Sequence, residues 1–406
     1  MPQKIKKRHL LDYSILIPYL ILCVLGLVMV FSSTSYLLVE QGQNFMSSVI
    51  NQAVFWLISL VAISFIYKMK TDVIRNKAFA SMAMIIVIAL LLVVLVIGKE
   101  VNGAKGWLSF GPVNIQPAEF FKITTIWFLA LKLSTRQKTI QGHTFFNTVF
   151  RPLVYVIVGL CLIALLPDFG NAAVITLIAF SVIMASGINY LYTLVLGIVG
   201  VIGSFGLIQL INLTKGKLIP AHVYSRFAIY QNPFKDEFNL GHQMVNGYYA
   251  IYNGGLFGRG LGNSIQKKGF LKFAHTDYIF AIVIEELGLI VALLVLALLF
   301  YMIARIFLVG IRSTDPFNSM MCIGIGSLFL IQVFVNLGGI TGIIPLTGIT
   351  FPFLSQGGSS LLMLSICVGF ALNISADEKK KQYGISTTNR RVQKRAIVSA
   401  NAPAKK

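Results

Sequence analysis

The chain has 406 residues, of which 56% are hydrophobic and only 12% charged. A soluble domain of this length has no use for so much apolar surface, so the class is a polytopic integral membrane protein, all-α in fold. The net charge of +20 does not point to nucleic acid. The basic residues sit between and beyond the apolar runs, where anionic lipid headgroups are the neighbours.

Runs long enough to span occur near 13–31, 49–67, 78–98, 118–132, 152–166, 171–187, 189–212, 277–304, 317–338 and 357–374, which predicts about ten transmembrane helices. The first follows Lys4, Lys6, Lys7 and Arg8 but lacks a small-x-small cleavage site, so it reads as an uncleaved span. With the N-terminus inside, most of the 34 basic residues fall on inside segments and both termini are cytoplasmic. A long extracellular loop, 213–276, then lies between spans seven and eight. Residues 1–376 form the transmembrane core, and 377–406 a basic, polar tail predicted to be disordered or held against anionic lipid. Cys23, Cys161, Cys322 and Cys367 each lie in an apolar run and read as core residues.

Three outer segments stand out. Residues 99–117 read KEVNGAKGWLSFGPVNIQP, 213–276 are rich in Gly, Asn and aromatics, and 339–356 read GITGIIPLTGITFPFLSQ. Broken backbone of the last kind survives at membrane depth where protein buries it or where it lines a wet cavity. All three fall on one side and are predicted to roof one outward-facing cavity, with Ser355 and Gln356 as lining or structural residues.

The chain has only 14 acidic residues, so their positions carry information. In QPAEFFK, Pro117 and Glu119 suit a helix start, and Lys122 lies on the same face three residues on. The two read equally as a structural pair or as part of a site, since a pair inside a span faces protein or water. Asp168 in PDFG reads first as a tight turn and second as a residue lining the outer face. Asp277 is placed in the first turn of a span, capped by Thr276, where the helix dipole favours its ionised form. Glu285 and Glu286 lie roughly 12–14 Å deeper along that helix, too far to share its proton, and are predicted to brace the bundle. The Gly-rich GGLFGRGLGNS at 254–264, followed by Lys267 and Lys268, is a candidate phosphate-binding wall; Arg226 is a further cation on the same loop.

These motifs together resemble a known family. GAKGWLSFGPVNIQPAEFFK at 103–122, PDFG at 167–170, GGLFGRGLGNSIQK at 254–267, AHTDYIFAIVIEELG at 274–288 and PLTGITFPFLSQGGSSLL at 345–362 are similar, in this order, to the SEDS family (shape, elongation, division and sporulation). Residues 10–36 and 351–360 look more like its division branch, FtsW, than its elongation branch, RodA. The resemblance implies a ten-span peptidoglycan glycosyltransferase that polymerises lipid II at the outer face of the bacterial cytoplasmic membrane, at the division septum. It puts the essential acid at Asp277 and adds Trp107, Glu119 and Lys122 to the site. It implies a divalent cation, Mg2+ or Mn2+, with unassigned ligands, and a class B penicillin-binding protein and other division proteins as partners. Two places depart from the family pattern. Leu271, Lys272 and Phe273 stand where relatives have Leu-Pro-Glu, and Gly247 stands where division-branch relatives often have serine.

The reaction such a chain performs needs a base for the acceptor hydroxyl, cations for the departing pyrophosphate and a groove for two lipid tails. Asp277 is the candidate base, and Lys122, Arg226, Lys267 and Lys268, or a metal, the candidate cations. A lipid II flippase, an elongation-type polymerase and a scaffold that only recruits the crosslinking partner are the alternatives.

Overall fold

The computed structural model describes residues 7–101, 104–110, 113–137, 149–213, 221–230 and 232–400. Lys4 and Lys6, which precede the first span, lie outside them. Each predicted run coincides with a helix: α1 (Tyr13–Glu40), α2 (Ser47–Lys68), α4 (Lys77–Ile97), α5 (Pro117–Ser134), α6 (Arg151–Leu165), α7 (Phe169–Ala185), α8 (Tyr190–Leu213), α11 (Ile279–Arg312), α12 (Pro316–Ile340) and α13 (Gly358–Ala400). Between them lie the short helices α3 (Thr71–Ile74), α9 (Ala221–Ile229) and α10 (His242–Gly254). Among the described residues, α1, α2, α4, α11, α12 and the Gly358–Tyr383 part of α13 are long and apolar enough to cross a membrane; α6 and α7 are shorter apolar helices. In lipid the backbone must satisfy its own polar groups, and a helix does this within one segment.

The starts follow local chemistry. Asn76 accepts from the amides of Ala78 and Phe79 and caps α4, and Asp315 does the same for α12 through Phe317 and Asn318. Pro117 and Pro316 occupy first-turn positions, where the missing N–H is no loss.

Helix α5 is central, packed against α4, α6, α7, α12 and α13. It is buried almost from end to end, including Lys122 at 0% exposure. Helix α13 lies along α2, while α1, α10 and α12 surround α11. The outer helices turn apolar side chains outward, as Val61 (70% exposed) and Val96 (82%) show, which only acyl chains tolerate.

Two expectations are corrected here. The membrane part is all-α, but the first outer segment folds as a three-stranded antiparallel sheet: β1 (Lys99–Val101), β2 (Ala104–Phe110) and β3 (Val113–Ile115), with Leu108 opposite Ile115. The predicted domain boundary at 376 falls inside the continuous helix α13. Its next turns are held by side chains: Asp377 and Glu378 accept from Asn318, and Lys381 pairs with Asp377, Glu378 and Asp315. A polar tail becomes ordered where it has charged partners.

Candidate active site

One cavity of about 560 Å3 opens where the three outer segments meet. Trp107 reaches it from β2, Gln116 and Glu119 from the start of α5, Asp168 from the turn before α7, and Arg226 from α9. The floor is His275–Asp277 and Ile344–Thr350, and Gln356 closes the rim.

Asp277 sits just before α11, which begins at Ile279, and Thr276 does not cap it; the N-cap is Tyr278. The predicted first-turn position is therefore corrected, and with it the electrostatics. Burial, only partly offset by the Arg226 charge and a hydrogen bond from Thr276, raises the Asp277 carboxyl from 3.8 to about 6. The helix dipole does not dominate at this position.

The backbone beneath Asp277 is clamped. Three successive carbonyls each accept a bond from the segment between α12 and α13 or from α12 itself. Gln356 N donates to His275 O (2.9 Å), Ser355 Oγ to Thr276 O (2.6 Å) and Asn336 Nδ2 to Asp277 O (2.8 Å). Asn336 also donates to Ile349 O (2.8 Å), so one side chain ties the acid to the facing loop. Ser355 thus takes the predicted structural role and Gln356 a lining one. Gly348 crosses directly over the acid with φ +78°. A Cβ there would stand 3.7 Å from both Arg226 Nη1 and Asp277 Oδ2. Arg226 is near Asp277 but makes no ion pair with it within 4 Å; its Nη1 points at Leu346 O, 3.5 Å away.

Glu119 and Lys122 form a buried pair at 2.6 Å, and Lys122 is spent on it. Glu119 Oε1 takes the ammonium, while Oε2 is buried with no hydrogen-bond partner and the residue lines the cavity. Asp168 fulfils both of its readings. It caps α7 through Asn171 N (3.1 Å), accepts from Gln116 Nε2 (3.2 Å) and lines the cavity. His275 is half-buried beside the acid with Nδ1 unpartnered, and burial lowers its proton affinity.

The Gly-rich wall is corrected. Two of its amides are turned onto α11: Arg259 N donates to Glu285 O and Gly260 N to Glu286 O, both at 2.9 Å. The Glu285 carboxylate accepts from Ser264 Oγ, Ile265 N and Gln266 N. Lys267 Nζ pairs with Glu286 at 2.7 Å and donates to Ser32 of α1. The loop packs over a break in α11 at Gly288 (φ +86°), where Leu289 N and Ile290 N donate back to Gly255 O and Leu256 O. Lys267 leaves the list of leaving-group cations, and exposed Lys268 lies off the cavity lining. Glu285 and Glu286 do brace the structure, but they hold a loop as well as a helix.

Asn336, Gly348 and Gln243 are site residues that the sequence reading missed. Asn336 carried a usable signal, an amide inside the apolar run 317–338. Gly348 carried none beyond its Gly-Pro-broken surroundings.

The chain as a whole is similar to known proteins. A probable peptidoglycan glycosyltransferase FtsW of Lactococcus lactis is 45% identical over 93% of this chain and 95% of its own length. FtsW of Bacillus subtilis is 37% identical over 91% and 93%. The stage V sporulation protein E of the same organism is 35% identical over 90% and 96%. In solved structures the fold is that of Thermus thermophilus RodA, with TM-score 0.64 and 23% identity over 90% of this chain and 97% of that one. A chain from a peptidoglycan synthase complex matches with TM-score 0.70 and 24% identity over 90% and 98%. The family model described as cell cycle protein, covering FtsW, RodA and SpoVE, matches residues 13–380, and the chain belongs to that family.

Proposed function

We propose that the chain is a peptidoglycan glycosyltransferase that polymerises lipid II at the outer face of the cytoplasmic membrane during septal wall synthesis. The observation that carries this reading is Asp277: a clamped carboxylate of raised proton affinity, facing a cavity, with a cation near but not bonded to it. A base for a sugar hydroxyl needs this environment, because a carboxylate near its ordinary value holds a proton too weakly.

In the reaction Asp277 takes the acceptor hydroxyl proton as that oxygen attacks the donor's anomeric carbon. The bond to the pyrophosphate oxygen breaks, and the lipid pyrophosphate leaves with its electron pair. Displacement of an α-linked donor leaves a β-glycosidic bond. Arg226 is the described cation best placed to offset charge in the cavity. Gly348 leaves room above Asp277 for the sugar.

Among the described residues no three His, Cys, Asp or Glu converge on one point. A Mg2+ or Mn2+ that keeps several waters and shares substrate phosphates needs only one or two carboxylates. The orphaned Glu119 Oε2 fits that need, and Asp168 is the other wall carboxylate. Such an ion would supply charge stabilisation to the leaving pyrophosphate. A class B penicillin-binding protein is the proposed partner, in keeping with the matched complex, whose description couples polymerization with crosslinking.

The test is glycan synthesis from lipid II by the purified chain. Product is expected from the wild type, and Asp277→Asn should lower the rate at least about 100-fold. Transport of lipid II without glycan product would establish the flippase reading instead.

A further inference from the structure

A second cavity, about 390 Å3, lies at the opposite end of the bundle from Asp277. Its walls are the 3-10 turn Lys7–Leu10, the α2–α3 junction from Lys68 to Asp72, and Ala376, Asp377 and Lys380 of α13. Four lysines line it, Lys7, Lys68, Lys70 and Lys380, against two acids. Asp377 is already engaged by Lys381 (3.2 Å), Asn318 (3.1 Å) and Arg75 (3.8 Å). Among the described residues, Lys68, Lys70 and Lys380 have no acid within 4 Å. The lysines therefore outnumber the acids, and one of the two acids, Asp377, is committed to partners outside the lysine set. Like charges gathered in a concave wall focus potential and draw an anion.

The fourth lysine is set into the structure. Lys7 Nζ donates to Met69 O (3.1 Å) and stands 5.3 Å over the Tyr67 ring, whose hydroxyl donates to Lys7 O (2.6 Å). Its proton affinity is lowered by burial, raised by Asp377 and lowered again by Lys380. The helices that end at this cavity carry outward apolar side chains. Phe65 of α2 is 67% exposed and Ile17 of α1 is 50% exposed. A ligand bound here thus meets cations at its head and lipid-facing helices beside it.

We propose that this cavity binds the headgroup of an anionic phospholipid, with its phosphate among Lys7, Lys68, Lys70 and Lys380 and its acyl chains against α1 and α2. The proposal needs only that the bundle sits in a membrane, so it stands or falls apart from the polymerase reading. Basic pockets between spanning helices take such headgroups, at roughly a fivefold gain in affinity per lysine.

The experiment is native mass spectrometry of the full chain in neutral detergent, with phosphatidylglycerol or phosphatidylcholine of matched acyl chains. The wild type should retain phosphatidylglycerol at least about tenfold over phosphatidylcholine. The triple variant Lys68→Gln, Lys70→Gln, Lys380→Gln should lose that preference. A control triple variant, Lys77→Gln, Lys235→Gln, Lys272→Gln, removes the same charge from exposed sites elsewhere and should keep it. Lys380→Gln alone, at an exposed position, should weaken retention several-fold even if the triple variant fails to fold. Equal loss in both triple variants would reduce the effect to overall charge, and unchanged retention in the cavity variants would remove the site. Displacement of the lipid by equimolar inorganic phosphate would make a free anion the ligand and overturn the lipid assignment.

Discussion

Asp277 and Asp12 each stand just before a long apolar helix, each with an arginine nearby, and they have opposite fates. Asp12 is buried at the foot of α1 and fully engaged. Arg305 Nη2 lies 2.9 Å away, Lys379 Nζ 3.3 Å, and Ser375 Oγ donates at 2.6 Å. Burial acts to raise its proton affinity, but the bonds and charges of Arg305, Ser375 and Lys379 outweigh burial and hold it below the usual carboxylate value. Asp277 has Arg226 nearby without an ion pair, and burial wins. Gly348 adjoins both groups, a Cβ there standing 3.7 Å from the acid and from the guanidinium, and no ion pair closes between them within 4 Å. A carboxylate that finds its cation becomes a rivet, and one held short of it stays available for chemistry.

The sharpest way to break this comparison is to remove each acid and measure both stability and rate. Asp12→Ala strands Arg305 and Lys379 and should cost about 3–5 kcal/mol of thermal stability in detergent, with the rate per folded molecule nearly unchanged. Asp277→Asn should do the reverse. It abolishes glycan synthesis yet stabilises the fold at pH 8 by up to about 3 kcal/mol, the free energy of holding a carboxylate whose proton affinity was raised about two units. A destabilised Asp277→Asn protein would mean that the acid is structural.

A milder probe is the clamp. Asn336→Ala strips the donor from Asp277 O and Ile349 O, leaving buried carbonyls unpaired at about 1–3 kcal/mol. If the clamp positions the base, the turnover number should fall about tenfold while KM holds. Glutamine at 336 keeps an amide but not its reach, and should recover part of the loss. A change in KM alone would assign Asn336 to substrate binding instead.

Much of the frame was legible from the chain. Runs of 15 to 28 residues, mostly apolar, leave little choice but helices, and all ten predicted runs coincide with them. Scarce acids marked Asp277, Glu119 and Asp168, and all three meet in one cavity. The failures share a cause. Lys267 and the glycines at 254–264 have the composition of an anion site, but Glu286 pairs with Lys267, and the carbonyls of Glu285 and Glu286 take the amides of Arg259 and Gly260. Composition reports which groups could bind, and tertiary pairing decides which are left free to do so. Asn336 was missed for the converse reason: a lone amide in a span shows that it has a partner, but not which one.

The finest test sets the two acids against pH. The folded chain binds the Asp277 proton up to about pH 6, whereas the unfolded chain releases it near 3.8. Asp277 therefore favours the folded state at low pH, and this contribution is lost as pH rises through about 6. Asp12, held below the usual value, favours folding above that value and loses its contribution only as pH falls through its own lowered one. Across pH 5 to 8 the stability difference between wild type and Asp277→Asn should widen toward alkaline pH, while that between wild type and Asp12→Asn should stay flat. Polymerisation should follow the same titration. It should be half-maximal near pH 6 and fall about tenfold per unit below that, because only ionised Asp277 can accept the hydroxyl proton. An acid limb near pH 4 would put the base in contact with Arg226 after all, and the distinction between the two aspartates would collapse.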